Sequence, residues 1–84
     1  MKPHVLNIIA LLERDGWCQH THKNEKGERC IQGAINEAVP PLLWKEVERI
    51  IERELGIGIM FFNDMPGRTK RHVISKLKSC AEKL

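Results

Sequence analysis

Residues 42–56, LLWKEVERIIERELG, combine apolar and charged side chains with the period of an α-helix. The apolar positions lie three or four residues apart, at Leu43, Val47, Ile50, Ile51 and Leu55. From Lys45 onward charged side chains occupy the other positions, and Gly56 is a typical helix end. The stretch therefore predicts an amphipathic helix over 42–55 that packs one face against a core.

Three further segments have the same period. The first is predicted over 3–14, where the apolar stripe consists of Val5, Leu6, Ile8, Ile9 and Leu12. The second begins at Cys30 and ends before Pro40, because the residue before a proline is pushed out of the α region. Gly33 within it indicates close approach by another element. The last follows Thr69 as N-cap, with Val73, Ile74, Leu77, Cys80 and Ala81 buried.

Residues 17–28, WCQHTHKNEKGE, lack a helical period, and the polar turn 24–27 could join two short extended pieces. A small β-hairpin over 17–31 is therefore an alternative to a loop. Eighty-four residues are enough for one domain. We expect a mainly α fold over 1–84, a compact domain of about four short helices with or without that hairpin.

The apolar run 5–12 is too short to span a membrane, so we interpret it as a core helix. We expect a cytoplasmic protein without membrane association. A structural disulfide between any of the three cysteines, Cys18, Cys30 and Cys80, is then not expected.

Cysteine and histidine are the residue types that bind structural zinc, and Cys18, His20, His22 and Cys30 lie within thirteen residues. Their spacing, C-x-H-x-H-x7-C, is not a standard zinc site, so we expect no metal and no other cofactor. An enzymatic alternative remains open. In an extended segment Cys18 and His20 project to the same side, so a histidine could lower the thiol pKa while Asp64 orients the imidazole.

Two charged regions suggest binding sites. Asn63 and Asp64 precede a Pro-Gly turn, and Arg68 follows it at the start of a helix, where an anion could bind. Residues 66–84 carry six basic side chains and one acidic one. Lys70, Arg71 and Lys78 are candidate nucleic-acid contacts, although no recognition motif accompanies them.

Phe61 and Phe62 are adjacent, so a regular strand cannot bury both rings. We expect one of them to be exposed, which makes the connector 57–65 a candidate protein-contact surface. The leading hypothesis for function is a non-enzymatic protein-binding or regulatory module. A small enzyme or ligand-binding domain is the alternative, and it would use Cys18, Cys30, Asn63, Asp64 and Arg68. Together with Trp17, these residues are the candidate site or structural cluster. Nucleic-acid binding is a further alternative.

The order GWC (16–18), G-x-x-C-x-x-G-A (27–34), ND (63–64) and RT (68–69) resembles an uncharacterised family of small bacterial and phage proteins, known only as a domain of unknown function. The resemblance spans about residues 5–82 and implies no activity. It implies that these residues, from three separate segments, form either one structural cluster or one small site. In a structural cluster, Trp17 would pack over the two cysteines, and Asn63 and Asp64 would cap nearby backbone. The leading hypothesis of a protein-binding module includes an accessory or inhibitor protein encoded by a phage or mobile element.

Overall fold

Five α-helices form the chain in the computed structural model, which describes residues 1–84. They are α1 (Lys2–Asp15), α2 (Ile31–Ala38), α3 (Trp44–Leu55), α4 (Ile59–Asp64) and α5 (Lys70–Glu82). A 3-10 helix, Pro41–Leu43, leads into α3, and there is no β-strand. The expected mainly α class is confirmed.

The core lies where α1 packs against α2 and α5, with α3 and α4 closing it from the other side. Every helix contributes to one cluster of 18 buried side chains. Among the most deeply buried are Val5, Ile8, Leu12, Ile31, Ile35, Val47, Ile51, Val73 and Leu77. The amphipathic stripes read from the sequence therefore meet in a single core.

One position in the α1 stripe was predicted wrongly. Leu6 is 46% exposed, whereas Leu11 is buried. Each helical residue adds a rotation of about 100°, so the stripe is centred between Ile8 and Leu12. Leu11 lies closer to that centre than Leu6 does, and it is therefore the residue that reaches the core.

Gly33 makes the close approach that the sequence indicates. A Cβ atom at this position would collide with the backbone carbonyl oxygen of His22. The loop 17–30 is thus packed directly against α2.

The predicted N-cap of α5 is also present, because Thr69 Oγ1 accepts a hydrogen bond from the backbone N–H of His72 at 3.2 Å.

The hairpin considered from the sequence does not form. Residues 17–30 contain only isolated bridges, one parallel between Trp17 and Arg29 and one antiparallel between Lys23 and Arg29. In a parallel bridge the two ends of the segment run in the same direction, whereas the two strands of a hairpin are antiparallel. The segment is a loop that returns to its starting point.

The connector 57–65 also differs from the expectation of about four helices, because it contains a fifth one, the six-residue helix α4. Phe62 and Ile59 enter the core from this helix, and the next residue, Asn63, is buried as well.

None of the five helices has the length and apolar character that crossing a membrane requires.

Candidate functional site

Asn63 lies at the centre of the cluster that the sequence pattern marks, and its side chain is fully buried. Its Oδ1 atom accepts hydrogen bonds from Trp17 Nε1 at 2.7 Å and from the Ile31 backbone N–H at 3.0 Å. Its Nδ2 atom donates to the Cys18 carbonyl oxygen at 3.1 Å and to Asp64 Oδ1 at 2.9 Å. The amide thus uses both acceptor and both donor positions within the protein.

Asp64 and Gln19 extend this network. Asp64 Oδ1 accepts a hydrogen bond from the His20 backbone N–H at 3.0 Å, and Gln19 Nε2 donates to the carbonyl oxygens of Asn63 and Met65, both at 3.0 Å. The hydrogen bond from the His20 N–H, followed by the one from Asn63, lowers the pKa of Asp64 below its ordinary value. We call Trp17, Cys18, Asn63 and Asp64, with the backbone of His20, the Asn63 cluster.

The thiol of Cys18 is half-buried, and it donates to the Glu28 carbonyl oxygen at 3.3 Å rather than to an imidazole. Burial, followed by the neighbouring Cys30 and Glu28, raises the pKa of Cys18. A nucleophilic thiol needs the opposite shift. The geometry therefore gives no support to the Cys18–His20 pair considered from the sequence.

Cys30 is fully buried and caps α2, because its sulfur accepts a hydrogen bond from the Gly33 backbone N–H at 3.3 Å. His20 and His22 are exposed. The four candidate ligands do not converge, and no group of three or more histidine, cysteine or acidic side chains is placed to hold a metal ion. Cys18 and Cys30 instead each form a hydrogen bond with a backbone group, of Glu28 and Gly33 respectively.

Arg68 stabilises the turn between α4 and α5. Its guanidinium carbon lies 3.7 Å from the ring centroid of Phe62, and Nε donates to the Phe62 carbonyl oxygen at 2.9 Å. Nη1 contacts His72 Nδ1 at 2.8 Å. With these contacts the side chain fixes the end of α4 over the core, which accounts for its place beside the Pro-Gly turn without an anion.

Arg29 is a buried charged residue that sequence reasoning missed. Only 5% of it is exposed, and it pairs with Asp15 at 2.6 Å and Glu37 at 2.8 Å. Arg14, followed by Arg29, holds the pKa of Asp15 far below its usual range. Nothing in the local sequence separates this arginine from exposed ones, because its partners lie on α1 and α2.

Phe61 and Phe62 diverge as expected, since Phe61 is 75% exposed and Phe62 only 4%. Phe61 borders a shallow surface groove of about 470 Å³. We call this the apolar groove, and it is lined by Ile57, Met60, Phe61, Asp64, Met65 and Pro66. It shares Asp64 with the Asn63 cluster, so the two features are adjacent.

The candidate nucleic-acid contacts Lys70, Arg71 and Lys78 are exposed and line a second groove of about 770 Å³ between α1 and α5. Glu13 and Glu82 line the same groove, and Lys78 Nζ lies 3.5 Å from Glu13 Oε1. The surface therefore carries mixed charge rather than a continuous basic stripe.

The model of one protein family, described as a family of unknown function (DUF6197), matches residues 4–83. No curated protein and no solved structure matches the chain. The match covers nearly the whole chain, so the helices, the Asn63 cluster and both grooves lie within it.

Proposed function

Because the chain belongs to DUF6197, a family of unknown function, we propose its role from the geometry of its surface. The protein is a non-enzymatic protein-binding or regulatory module. It contacts a protein partner through the apolar groove.

The observation that carries this proposal is the exposure of Phe61 among other apolar side chains. Its ring is 75% exposed, and Ile57, Met60 and Met65 beside it are each 37–42% exposed. Contiguous apolar surface of this kind marks interaction sites, and aromatic residues and methionine are enriched there. Phe61 has the properties of an anchor that a partner pocket would enclose.

The Asn63 cluster supports the proposal because it holds α4 in place. A helix of six residues has little intrinsic stability. Two of its residues, Asn63 and Asp64, hydrogen-bond to the loop that follows α1, and Phe62 packs in the core. Phe61 is thereby presented from a fixed support, which reduces the entropy lost on binding.

The same contacts weaken the alternative of a small enzyme or ligand-binding site. The hydrogen-bonding groups of Asn63 are all used within the protein, and the Cys18 thiol has a raised pKa. A structural role explains the marked residues, which leaves the neighbouring groove as the surface for function.

We also propose that the protein acts in the bacterial cytoplasm, as an accessory or inhibitor protein of a phage or mobile element. Three free thiols, at Cys18, Cys30 and Cys80, are typical of reducing compartments. Localisation of a tagged chain in its natural host tests this part of the proposal.

Photocrosslinking tests the binding surface. A photoreactive phenylalanine analogue replaces Phe61 in one version and Leu42 in the control, since Leu42 is 97% exposed and lies outside the apolar groove. We expect a defined crosslinked protein from position 61 and none from position 42. The same product from both positions, or none from position 61, would contradict the proposal.

The crosslinked protein is then purified and its affinity measured with Phe61→Ser and Leu42→Ser. Loss of an aromatic anchor costs about 2 kcal/mol, so Phe61→Ser is expected to weaken binding about thirtyfold. Leu42→Ser is expected to bind normally. Equal affinities for the two variants would reject the apolar groove as the contact surface.

Nucleic-acid binding through α5 is a second candidate, favoured by the exposure of Lys70, Arg71 and Lys78 along one groove. Retention of the unmodified chain on DNA or RNA at low salt is compared with that of a variant in which all three are glutamate. Loss of retention in the variant supports this candidate, and unchanged retention rejects it.

A further inference from the structure

We infer that the segment bound in the apolar groove carries a lysine or arginine next to apolar side chains. This inference rests on the proposed function and names the chemistry of the partner. It follows from the position of one carboxylate, that of Asp64, in a groove whose other walls are mainly apolar.

Asp64 is the one charged residue that lines the groove. Its two carboxylate oxygens have different roles. Oδ1 accepts hydrogen bonds from the His20 backbone N–H and from Asn63 Nδ2, whereas Oδ2 makes no hydrogen bond, and His20 Nδ1 lies 3.9 Å away from it. One oxygen therefore holds the carboxylate in position, and the other keeps its capacity to accept from a ligand.

The network also keeps this carboxylate charged. The hydrogen bonds to Oδ1 lower the pKa of Asp64, so the side chain is ionised at neutral pH. A purely apolar segment that covers the groove would bury this charge without a partner, which is costly. An ammonium or guanidinium group that reaches Oδ2 removes that cost.

Two other occupants fit the groove less well. An acidic segment would place like charges together. A second copy of the chain that packs groove against groove would bring two Asp64 carboxylates into one two-fold interface. A cationic segment of a different protein is the occupant whose charge complements the groove.

The net charge of the chain has the sign opposite to that of the groove carboxylate. At +3, the protein as a whole attracts anions over long distances. A preference for a cationic ligand would therefore have to arise within the groove itself.

The test uses two synthetic peptides with blocked ends and the same Leu-Phe-Leu centre, one flanked by lysines and the other by glutamates. Each is titrated into the full, ¹⁵N-labelled chain at low salt, and amide shifts over residues 57–66 are followed. We expect the lysine peptide to bind roughly fivefold more tightly, as for a partly exposed ion pair worth about 1 kcal/mol.

Asp64→Asn supplies the decisive variant. Asparagine keeps an oxygen that can accept from the His20 N–H, and the amide spectrum verifies the fold. This variant is expected to bind both peptides equally, still through the groove. Glu46→Gln, which removes an exposed charge on α3 outside the groove, should keep the lysine preference.

Equal affinities of the unmodified chain for both peptides, with shifts in the groove, would overturn the cation preference and leave a protein-binding surface in place. Tighter binding of the glutamate peptide, or a lysine preference that survives in Asp64→Asn, would also overturn it. Peptide binding that shifts no residue of the groove would overturn it too, and the crosslink at position 61 then separately decides the proposed function.

Discussion

Trp17 donates a hydrogen bond of 2.7 Å from its indole Nε1 to Asn63 Oδ1, across 46 residues of sequence. The same oxygen accepts from the backbone N–H of Ile31, the first residue of α2. One buried amide therefore joins the loop after α1, the start of α2 and the end of α4. This relationship explains why residues far apart in the sequence belong to a single pattern.

Asn63→Ala is expected to lower the free energy of unfolding by about 2–4 kcal/mol. The change leaves the Trp17 indole N–H, the Ile31 N–H and the Cys18 carbonyl oxygen without their partner around a fully buried side-chain position. Urea unfolding, followed by tryptophan fluorescence, measures the effect.

Asn7→Ala is the matched control, because Asn7 is exposed on α1. It should change the free energy of unfolding by less than about 0.5 kcal/mol. If Asn63→Ala were no more harmful than this control, the amide would not be the structural centre of the cluster.

Gly33→Ala is expected to destabilise the protein, although alanine favours a helix by about 1 kcal/mol relative to glycine. The new methyl group would collide with the His22 carbonyl oxygen, which is backbone and cannot move without displacing the loop. Ser75→Ala, on the exposed side of α5, should be neutral or slightly stabilising in the same thermal unfolding experiment. A stabilised Gly33→Ala would mean that the loop is not packed on α2.

The helices were predictable from sequence because their apolar periods and ends are local properties. Gly33 shows that even a tertiary contact can be read locally, since a glycine inside a helix demands a reason. The pattern GWC…GxxCxxGA…ND…RT indicated which residues belong together. It did not contain the pairing of Trp17 with Asn63, which depends on how three segments meet.

The features that sequence reasoning missed depend on tertiary context. Helix α4 has six residues, and its first N–H donates to Glu52 Oε2 on α3 rather than to a neighbouring cap residue, so neither a period nor a local cap identifies it. Arginine is usually exposed, so the sequence gives no sign that Arg29 is buried; its burial depends on its acidic partners on two helices. Leu6 and Leu11 are both plausible core positions, and the directions from which α2 and α5 pack on α1 decide between them.

Phe61 and Phe62 provide a matched pair of neighbouring truncations. Phe62→Ala is expected to cost about 3–4 kcal/mol, because the ring is buried and supports the Arg68 guanidinium. Phe61→Ala should leave stability within about 0.5 kcal/mol of the unmodified chain. The urea midpoints of the two variants are compared, provided that the dependence of the unfolding free energy on urea concentration is the same for both. Similar losses of stability would mean that the Phe61 ring packs within the protein and is not free to bind a partner.

Acid stability is expected to depend on Asp64. Its pKa is lowered in the folded state from an ordinary value of 3.8, so the unfolded chain binds the proton more readily. The stabilisation is fully present above that value and is lost as the pH falls through the folded-state pKa. Asp64→Asn should therefore be less stable than the unmodified chain near neutral pH, with the difference shrinking towards about pH 3.

Asp15→Asn is the comparison for this pH profile, because Arg14 and Arg29 also lower the pKa of Asp15. Both variants should reduce the fall in the free energy of unfolding that the unmodified chain shows at acid pH. Neither should change how that free energy depends on pH above neutrality. If the stability difference between Asp64→Asn and the unmodified chain were constant between about pH 3 and 7, folding would not lower the pKa of Asp64.

Thiol reactivity provides a separate test of the structural role of Cys18. Burial raises its pKa above the ordinary value of 9.0, and Cys30 and Glu28 act in the same direction. Because the thiolate is the reactive form, labelling by a chromogenic disulfide at about pH 8 should be more than about tenfold slower in the native chain than in urea. The native rate should keep rising above about pH 9, and Cys18→Ser should remove this phase while leaving the slow reactions of the buried Cys30 and Cys80. Rapid native labelling that is complete near neutral pH would instead indicate an activated thiol, and it would restore the enzymatic alternative over the structural explanation of the cluster.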